Sequence, residues 1–210
     1  NATSDQLNDA INAAQIAQRK WEDVGIEKRA NILHNIGSEL INQSKEIGTL
    51  LSREEGKTLP EGIGEVVRSG QQFQYYAASA LRQFGENIAS TREGVSVELT
   101  REPIGVCGII SPWNFPIAIA AWKAAPAMAY GNAIVLKPAS QTPASAIALT
   151  KIISEQKDIP EGLFNLVLGG GGTIGHQISE HKNINAISFT GSVNVGQTIY
   201  KEAAKTMKKM

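Results

Sequence analysis

Four stretches of this chain carry residue types that can do chemistry at the ends of apolar runs. Ser111-Pro112-Trp113-Asn114-Phe115-Pro116 follows Ile104–Ile110, and Lys137-Pro138-Ala139-Ser140-Gln141-Thr142-Pro143 follows Ala133–Leu136. Two glycine-bearing turns come later and suit phosphate. Gly170-Gly171-Gly172-Thr173-Ile174-Gly175 satisfies G-x-G-x-x-G between a strand and a helix, although a run of four glycines matches that pattern cheaply. No strand ending in Asp or Glu follows about twenty residues later to hold a ribose. Gly191–Thr198 has Walker A spacing with Gln197 where a lysine must stand, which argues against nucleotide triphosphate hydrolysis. What remains there is a helix N-terminus with small residues and a hydroxyl, suited to a diphosphate through its free N–H groups. The plain alternative for either turn is a tight strand-to-helix connection, and Asn114 between Trp and Phe, taken without further context, reads first as a turn closed on its own backbone.

Other chemistries find less support. His34, His176 and His181 are scattered, and the last two, five apart on a helix, do not share a face, so no metal is expected. A Tyr-x-x-x-Lys pair of the short-chain dehydrogenase kind is missing at Tyr75, Tyr76, Tyr130 and Tyr200. The single cysteine, Cys107, excludes an internal disulfide and fits a reducing, cytoplasmic setting; inside an apolar strand it should hold little thiolate. Lys plus Arg equals Asp plus Glu at 20 each, so no net charge calls for nucleic acid or an anionic membrane. Ile104–Trp122 runs 19 positions without a charge, nearly the ~20 that cross a bilayer. Pro112, Asn114 and Pro116 break it at the centre, so it reads as buried core. No secretory signal opens the chain, and the missing initiator Met points to something removed upstream.

The elements that must position these stretches follow from periodicity. Residues 1–85 read as helices. Thr3 and Gln6 make a capping box ahead of Leu7, Ala10, Ile11, Ala14, Ala17 and Trp21. A second helix follows Gly25 with Ile32, Leu33, Ile36 and Leu40 inward, and Ile47, Leu50 and Leu51 continue beyond a break. After Gly56 and Pro60 a further helix carries Val66, Val67, Phe73, Tyr76, Ala77, Ala80 and Leu81. Residues 86–102 hold a projecting strand or hairpin, in which Val95, Val97 and Leu99 alternate with polar residues as in a half-exposed strand. Residues 103–210 alternate strand and helix: strands at 104–110, 133–136, 163–168 and 186–189, helices at 117–130, 144–156, from about 173, and 193–207. Such alternation implies a Rossmann-like parallel sheet with helices on both faces, and ligands at the carboxyl ends of its strands. The 42% hydrophobic content supports one such core.

Ser111–Pro116 (SPWNFP), Lys137–Pro143 (KPASQTP) and Phe189–Ser192 (FTGS), in this order and spacing, resemble the aldehyde dehydrogenase superfamily. Ala124–Gly131 (AAPAMAYG), Ile159–Asn165 (IPEGLFN) and Glu55-Gly56-Lys57 fit it too, and the likeness runs over essentially the whole chain. The resemblance implies the cofactor domain of that superfamily, binding NAD or NADP, with the helix after FTGS lying against the pyrophosphate. By the same resemblance Asn114 matches the amide donor to the oxyanion formed when a thiolate attacks the aldehyde. Ile110, Ser111, Pro112 and Trp113 match the segment beside the cofactor, and Lys137 the lysine on the adenosine ribose. Gly171, Gly175 and Val195 match positions bordering adenine, and Gly191 and Ser192 the diphosphate turn. Ser140 stands where NAD-preferring members commonly carry a ribose-binding Glu, so acceptance of NADP is expected.

The resemblance also implies what is absent. The family's nucleophilic cysteine and water-activating glutamate follow the FTGS helix, and the chain stops at Met210 before either. The expectation is therefore a single-domain fragment, residues 1–210, without the catalytic domain and inactive alone. The parent would be a homo-oligomer acting on an aldehyde or a semialdehyde, such as that of 2-oxoglutarate, by thiolate attack, hydride transfer and hydrolysis. A non-catalytic nucleotide-binding or scaffold module and an acyl-phosphate reductase of the same superfamily are the alternatives.

Overall fold

The computed structural model describes residues 1–82 and 85–210. Four helices come first: α1 (Ser4–Glu22), α2 (Ile26–Asn42), α3 (Ser44–Glu55) and α4 (Leu59–Ala80). α1 starts at the expected capping box, where Thr3 N–H donates to Gln6 Oε1 at 2.9 Å and Gln6 N–H to Thr3 Oγ1 at 3.2 Å. Its apolar stripe, Leu7, Ile11, Ala14, Ala17 and Trp21, is buried. Gly56, at φ 98°, ends α3 in the left-handed conformation that glycine adopts without strain.

A hairpin follows, β1 (Glu86–Ala89) against β2 (Ser96–Leu99), antiparallel and paired with no other strand among the described residues. The remaining elements are β3 (Val106–Ile110), α5 (Ala118–Ala129), β4 (Ala133–Lys137), α6 (Pro143–Ser154), β5 (Phe164–Leu166), α7 (His176–Glu180), β6 (Ala186–Phe189) and α8 (Val193–Ala204). Their strands form one parallel sheet in the order β5-β4-β3-β6. β4 is buried at every residue, which is why its sequence is apolar throughout rather than alternating.

The chain steps outward from β3 to β5 and then returns across β3 to place β6. With the right-handed crossovers that parallel strands favour, α5 and α6 lie on one face and α7 on the other. α5 packs against α4, and α6 against α3, so the helical front layer backs that first face. On the second face Ile178 of α7 packs so close to Gly108 that a Cβ there would stand 2.7 Å from Ile178 Cγ2. α1 lies against β4 and β5, and its Trp21 Nε1 donates to Met128 O at 2.8 Å.

Several sequence expectations need correction. The helix expected from about Thr173 is instead a π-helical turn, Gly171–Gly175, closed by Gly175 N–H to Gly170 O at 3.2 Å and followed by the five-residue α7. The alternation at Val95–Leu99 predicts one buried face, yet every residue of β1 and β2 is exposed, because nothing in the described structure covers the hairpin. Leu81 falls just past the end of α4 and leaves its stripe, at 58% exposure. Leu50 is exposed too, since α3 turns Ile47, Gly48 and Leu51 inward. The chain's end pairs with the edge of β6, where Ile187 N–H donates to Lys209 O at 2.8 Å. Among the described residues no helix is long and apolar enough to cross a membrane.

Where α2 crosses α4, two glycines let the backbones touch. A Cβ on Gly37 would stand 2.5 Å from Gly70 O, and one on Gly70 would stand 2.5 Å from Gly37 O. Neither oxygen can move without its helix. Gly70→Ala should therefore lower stability by about 1–3 kcal/mol in urea unfolding. Gly64, exposed on the same helix with nothing within 4 Å of a Cβ, is the control. Gly64→Ala should raise stability by about 0.5–1 kcal/mol through helix propensity.

Candidate functional site

The sheet order reverses at β3, so its carboxyl end, with those of its neighbours, is where a crevice forms. A cavity of about 370 Å³ lies there, lined by Ile110, Gly171, Gly172, Gly175, Val195, Thr198 and residues of α7 and α8. The structure thus brings Ile110, Gly171, Gly175 and Val195 to one place from three separate segments. Nothing stands within 4 Å of where a Cβ would project from Gly171 or Gly172. No packing demand in the chain itself accounts for glycine at those two positions.

Lys137, the last residue of β4, is buried. Its Nζ donates to Pro138 O at 2.6 Å and to Gly169 O at 3.3 Å. Burial holds its pKa below the ordinary lysine value. Ser140 Oγ donates to the same Gly169 carbonyl at 3.3 Å, so the loops after β4 and β5 are tied at one oxygen. The Lys137 stem runs beside Gly175, 3.6 Å from where a Cβ would be. Ser111 opens the loop after β3. Its N–H donates to Lys137 O at 3.2 Å, while its buried hydroxyl has no partner.

Ser192 caps α8, accepting from Val195 N–H at 3.4 Å. One of the helix's first amides is thereby engaged, and the others lack intrahelical acceptors by the geometry of any helix. Gly191 has a structural reason of its own, since a Cβ there would meet the Phe189 ring at 2.5 Å. Gly191 and Ser192 are exposed and do not line the cavity that Val195 reaches.

Pro112, Trp113 and Asn114 stand apart from this group. Trp113 and Asn114 line a second cavity of about 650 Å³, with Glu65 and Arg68 of α4 and Ile119 and Trp122 of α5. Trp113, Phe115 and Trp122 are each about half exposed, an unusual apolar concentration. Asn114 is exposed, and its backbone carbonyl accepts from Lys57 Nζ at 3.0 Å.

The sequence reading missed four charged residues. Glu54 accepts from Ala144 N–H at 2.6 Å, Ser145 N–H at 2.9 Å and Ser145 Oγ at 2.6 Å. Glu65 accepts from Ile117 N–H at 3.0 Å and Ala118 N–H at 3.1 Å, and pairs with Lys57 at 2.6 Å. Lys123, the one charge within α5, is half-buried with its pKa lowered by burial, and donates to Ser188 Oγ of β6 at 2.8 Å. A lone charge in an alanine-rich helix was a signal that could have found Lys123. Contrary to the scatter read in the sequence, His176 gathers with Glu180 and Glu202, their ligand atoms within 4.8 Å of one another. Glu202 already binds Lys205 at 2.6 Å, and His176 and Glu180 are exposed.

Comparison with known proteins bears on family and fold. The family model described as "Aldehyde dehydrogenase family" matches residues 1–210. An alpha-ketoglutaric semialdehyde dehydrogenase of Bacillus subtilis is 40% identical over 205 residues, 97% of this chain and 41% of the relative. A 2,5-dioxopentanoate dehydrogenase of Saccharolobus solfataricus is also 40% identical, over 95% of this chain and 41% of its own. A crystal structure of betaine aldehyde dehydrogenase from Staphylococcus aureus in complex with NAD+ superposes with a TM-score of 0.95 at 32% identity, covering 99% of this chain and 42% of that one. The chain spans about two fifths of the length of the curated relatives it matches.

Cys107 is half-buried in β3, and desolvation pushes its pKa up to about 11. Labelling by a disulfide reagent requires the thiolate. At pH 8 the folded chain should label at least about 100-fold more slowly than the urea-unfolded chain, with the rate still rising above pH 10. Rapid stoichiometric labelling of the folded chain at pH 8 would contradict the burial of this thiol.

Proposed function

The chain belongs to the aldehyde dehydrogenase family, and on that premise we propose that residues 1–210 form the NAD(P)-binding unit of an enzyme oxidising an aldehyde to a carboxylate. The observation that carries this reading is the convergence of Ile110, Gly171, Gly175 and Val195 on one cavity beside the start of α8. The residues present fit a dinucleotide. Glycines with open space face the cavity, the buried Ser111 hydroxyl has no partner, and a serine-capped helix offers amides to a diphosphate.

In this reading Ile110 and Val195 flank the adenine with Gly171 and Gly175, and the missing side chain of Gly171 leaves room for it. Lys137 and Ser140 meet the adenosine ribose. Gly191 and Ser192 form the turn that presents α8 to the diphosphate, and Ser111, Pro112 and Trp113 pass alongside the cofactor. A bound nicotinamide would supply the acceptor for the hydride that leaves the substrate carbon. Asn114 donates its side-chain amide to the oxygen that gains charge as the aldehyde is attacked, a donor that serves only if it is aimed beforehand. Cys107, half-buried in β3 and held protonated, is not the attacking thiol, so the 210 residues alone should not oxidise aldehydes.

The semialdehyde names of the Bacillus and Saccharolobus relatives support a semialdehyde substrate. The exposed hairpin, with Ile88, Val95, Val97 and Leu99 all more than 40% exposed, supports assembly into a homo-oligomer. The lone cysteine supports a cytoplasmic place.

The test is direct binding of NAD+ and NADP+ to the 210-residue chain by calorimetry. Both should bind, since Ser140 is small and neutral and Lys137 lies close by. Ser140→Glu should weaken NADP+ about tenfold by placing a carboxylate near the 2′-phosphate, and leave NAD+ within about twofold. Failure of both cofactors to bind would overturn the cofactor role. Rejection of NADP+ by the unmodified chain would overturn the part assigned to Ser140.

A further inference from the structure

The loop that carries Asn114 has no regular structure of its own, and the helix after it cannot cap itself. α5 begins after Ile117, which brings no side-chain oxygen to the free amides. The missing acceptor comes from α4, 52 residues earlier in the chain, where Glu65 Oε1 takes the N–H groups of Ile117 and Ala118. Its other oxygen, Oε2, holds Lys57 Nζ at 2.6 Å. The lysine is almost enclosed, with 10% of its side chain exposed against 2% for Glu65. Beyond Glu65 its ammonium donates to the Asn114 carbonyl at 3.0 Å, lies 3.6 Å from Glu55 and sits 4.2 Å from the centre of the Phe115 ring. Each residue from Asn114 to Ala118, Pro116 excepted, therefore touches one member of a Lys57–Glu65 pair.

We propose that Lys57 and Glu65 are positioning residues for Asn114, a role that rests on the reading of Asn114 as the oxyanion donor. The Asn114 side chain is exposed, so what the chain fixes is the backbone from which its Cβ departs, and that backbone is pinned on both sides. Lys57 fixes the carbonyl of Asn114 and the ring that follows it, and Glu65 fixes the first turn of α5. The pair has a directional task that an apolar pair of equal volume cannot perform. An ammonium oriented by a buried carboxylate has its remaining hydrogens aimed, and one of them meets the Asn114 oxygen. Glu54 does the corresponding job for α6, at a separate place, and supplies the control.

The experiment uses the isotope-labelled 210-residue chain and its variants Lys57→Met, Lys57→Arg, Glu65→Gln and Glu54→Gln. In the unmodified chain the Lys57 ammonium should be visible in slow exchange with water, with nuclear Overhauser contacts to the Phe115 ring. Backbone order parameters at Asn114 and Phe115 should be near 0.85, the level of about any rigid segment. In Lys57→Met they should fall below about 0.6 while Ala144 and Ser145 are unmoved. Lys57→Arg should restore them in part. Glu65→Gln should shift the Ile117 and Ala118 amides as well, and Glu54→Gln should shift Ala144 and Ser145 and leave Asn114 alone. A rapidly exchanging Lys57 ammonium without contacts to Phe115 would overturn the proposal, whatever the folding of the variants. So would an Asn114 unchanged in folded Lys57→Met, or one disturbed equally by Glu54→Gln. Cofactor titration runs in parallel: absence of binding in the unmodified chain overturns the functional reading, while the resonances still decide whether the pair holds the loop.

Discussion

Two helices that cannot cap their own N-termini govern how this molecule is built. α5 and α6 each follow a loop at the carboxyl end of a sheet strand. Ile117 offers no oxygen to α5, and the Thr142 hydroxyl ahead of α6 is buried with no partner. A helix start left this way in the interior would strand several amide donors, at a cost of about 1–3 kcal/mol each. Both starts are met by carboxylates from the front layer, Glu65 for α5 and Glu54 for α6. Negative charge at a helix N-terminus is favoured by the helix dipole as well as by the hydrogen bonds. The front helices therefore do more than cover a face of the sheet. They set where the two loops end.

That arrangement demands close approach, and the glycines supply it. Gly37 and Gly70 let α2 and α4 meet backbone to backbone. Gly48 and Gly62 do the same for α3 and α4, where a Cβ on Gly62 would stand 2.6 Å from Gly48 O. With α3 and α4 held at that separation, Glu54 and Glu65 reach two neighbouring helices of the βα layer. The burial of Leu33, Ile36, Leu51, Val66 and Phe73 then fills the space between the layers. Packing precision in the front layer is thus converted into the position of loops that belong to the sheet.

The sequence made the sheet legible because strands buried on both faces read as unbroken apolar runs between Gly and Pro, and because α1 carries its own capping box. The motifs made the family legible too. Lys57, Glu54 and Glu65 were not legible, since their partners lie 52 to 91 residues away and no local period records such a distance. Each reads as a solvated charge on a helix or loop. The π-helical turn escaped for a different reason: a glycine run has no side-chain pattern from which a five-residue closure could be inferred. At the hairpin only the half-exposed alternation of Val95–Leu99 differs, because alternation reports a surface that is to be covered, and no described residue covers it.

The loops after β4 and β5 show the same economy as the capped helices, with one acceptor serving both. Gly169 O receives Lys137 Nζ and Ser140 Oγ, so the loop after β4 holds the start of the glycine run after β5. Lys137 can reach it because it ends a fully buried strand and its stem passes beside Gly175. Burial lowers the lysine's pKa, but two carbonyl acceptors at 2.6 and 3.3 Å favour the charged form. Two of the ammonium's three hydrogens are thus engaged by the chain itself, and the third is left for a ribose or phosphate arriving beside it. Ser140, exposed and neutral, has a hydroxyl that can turn from Gly169 toward a ligand at the cost of one hydrogen bond at 3.3 Å. Of the two, the serine is the freer to move, and the lysine is the one whose replacement would release the loop.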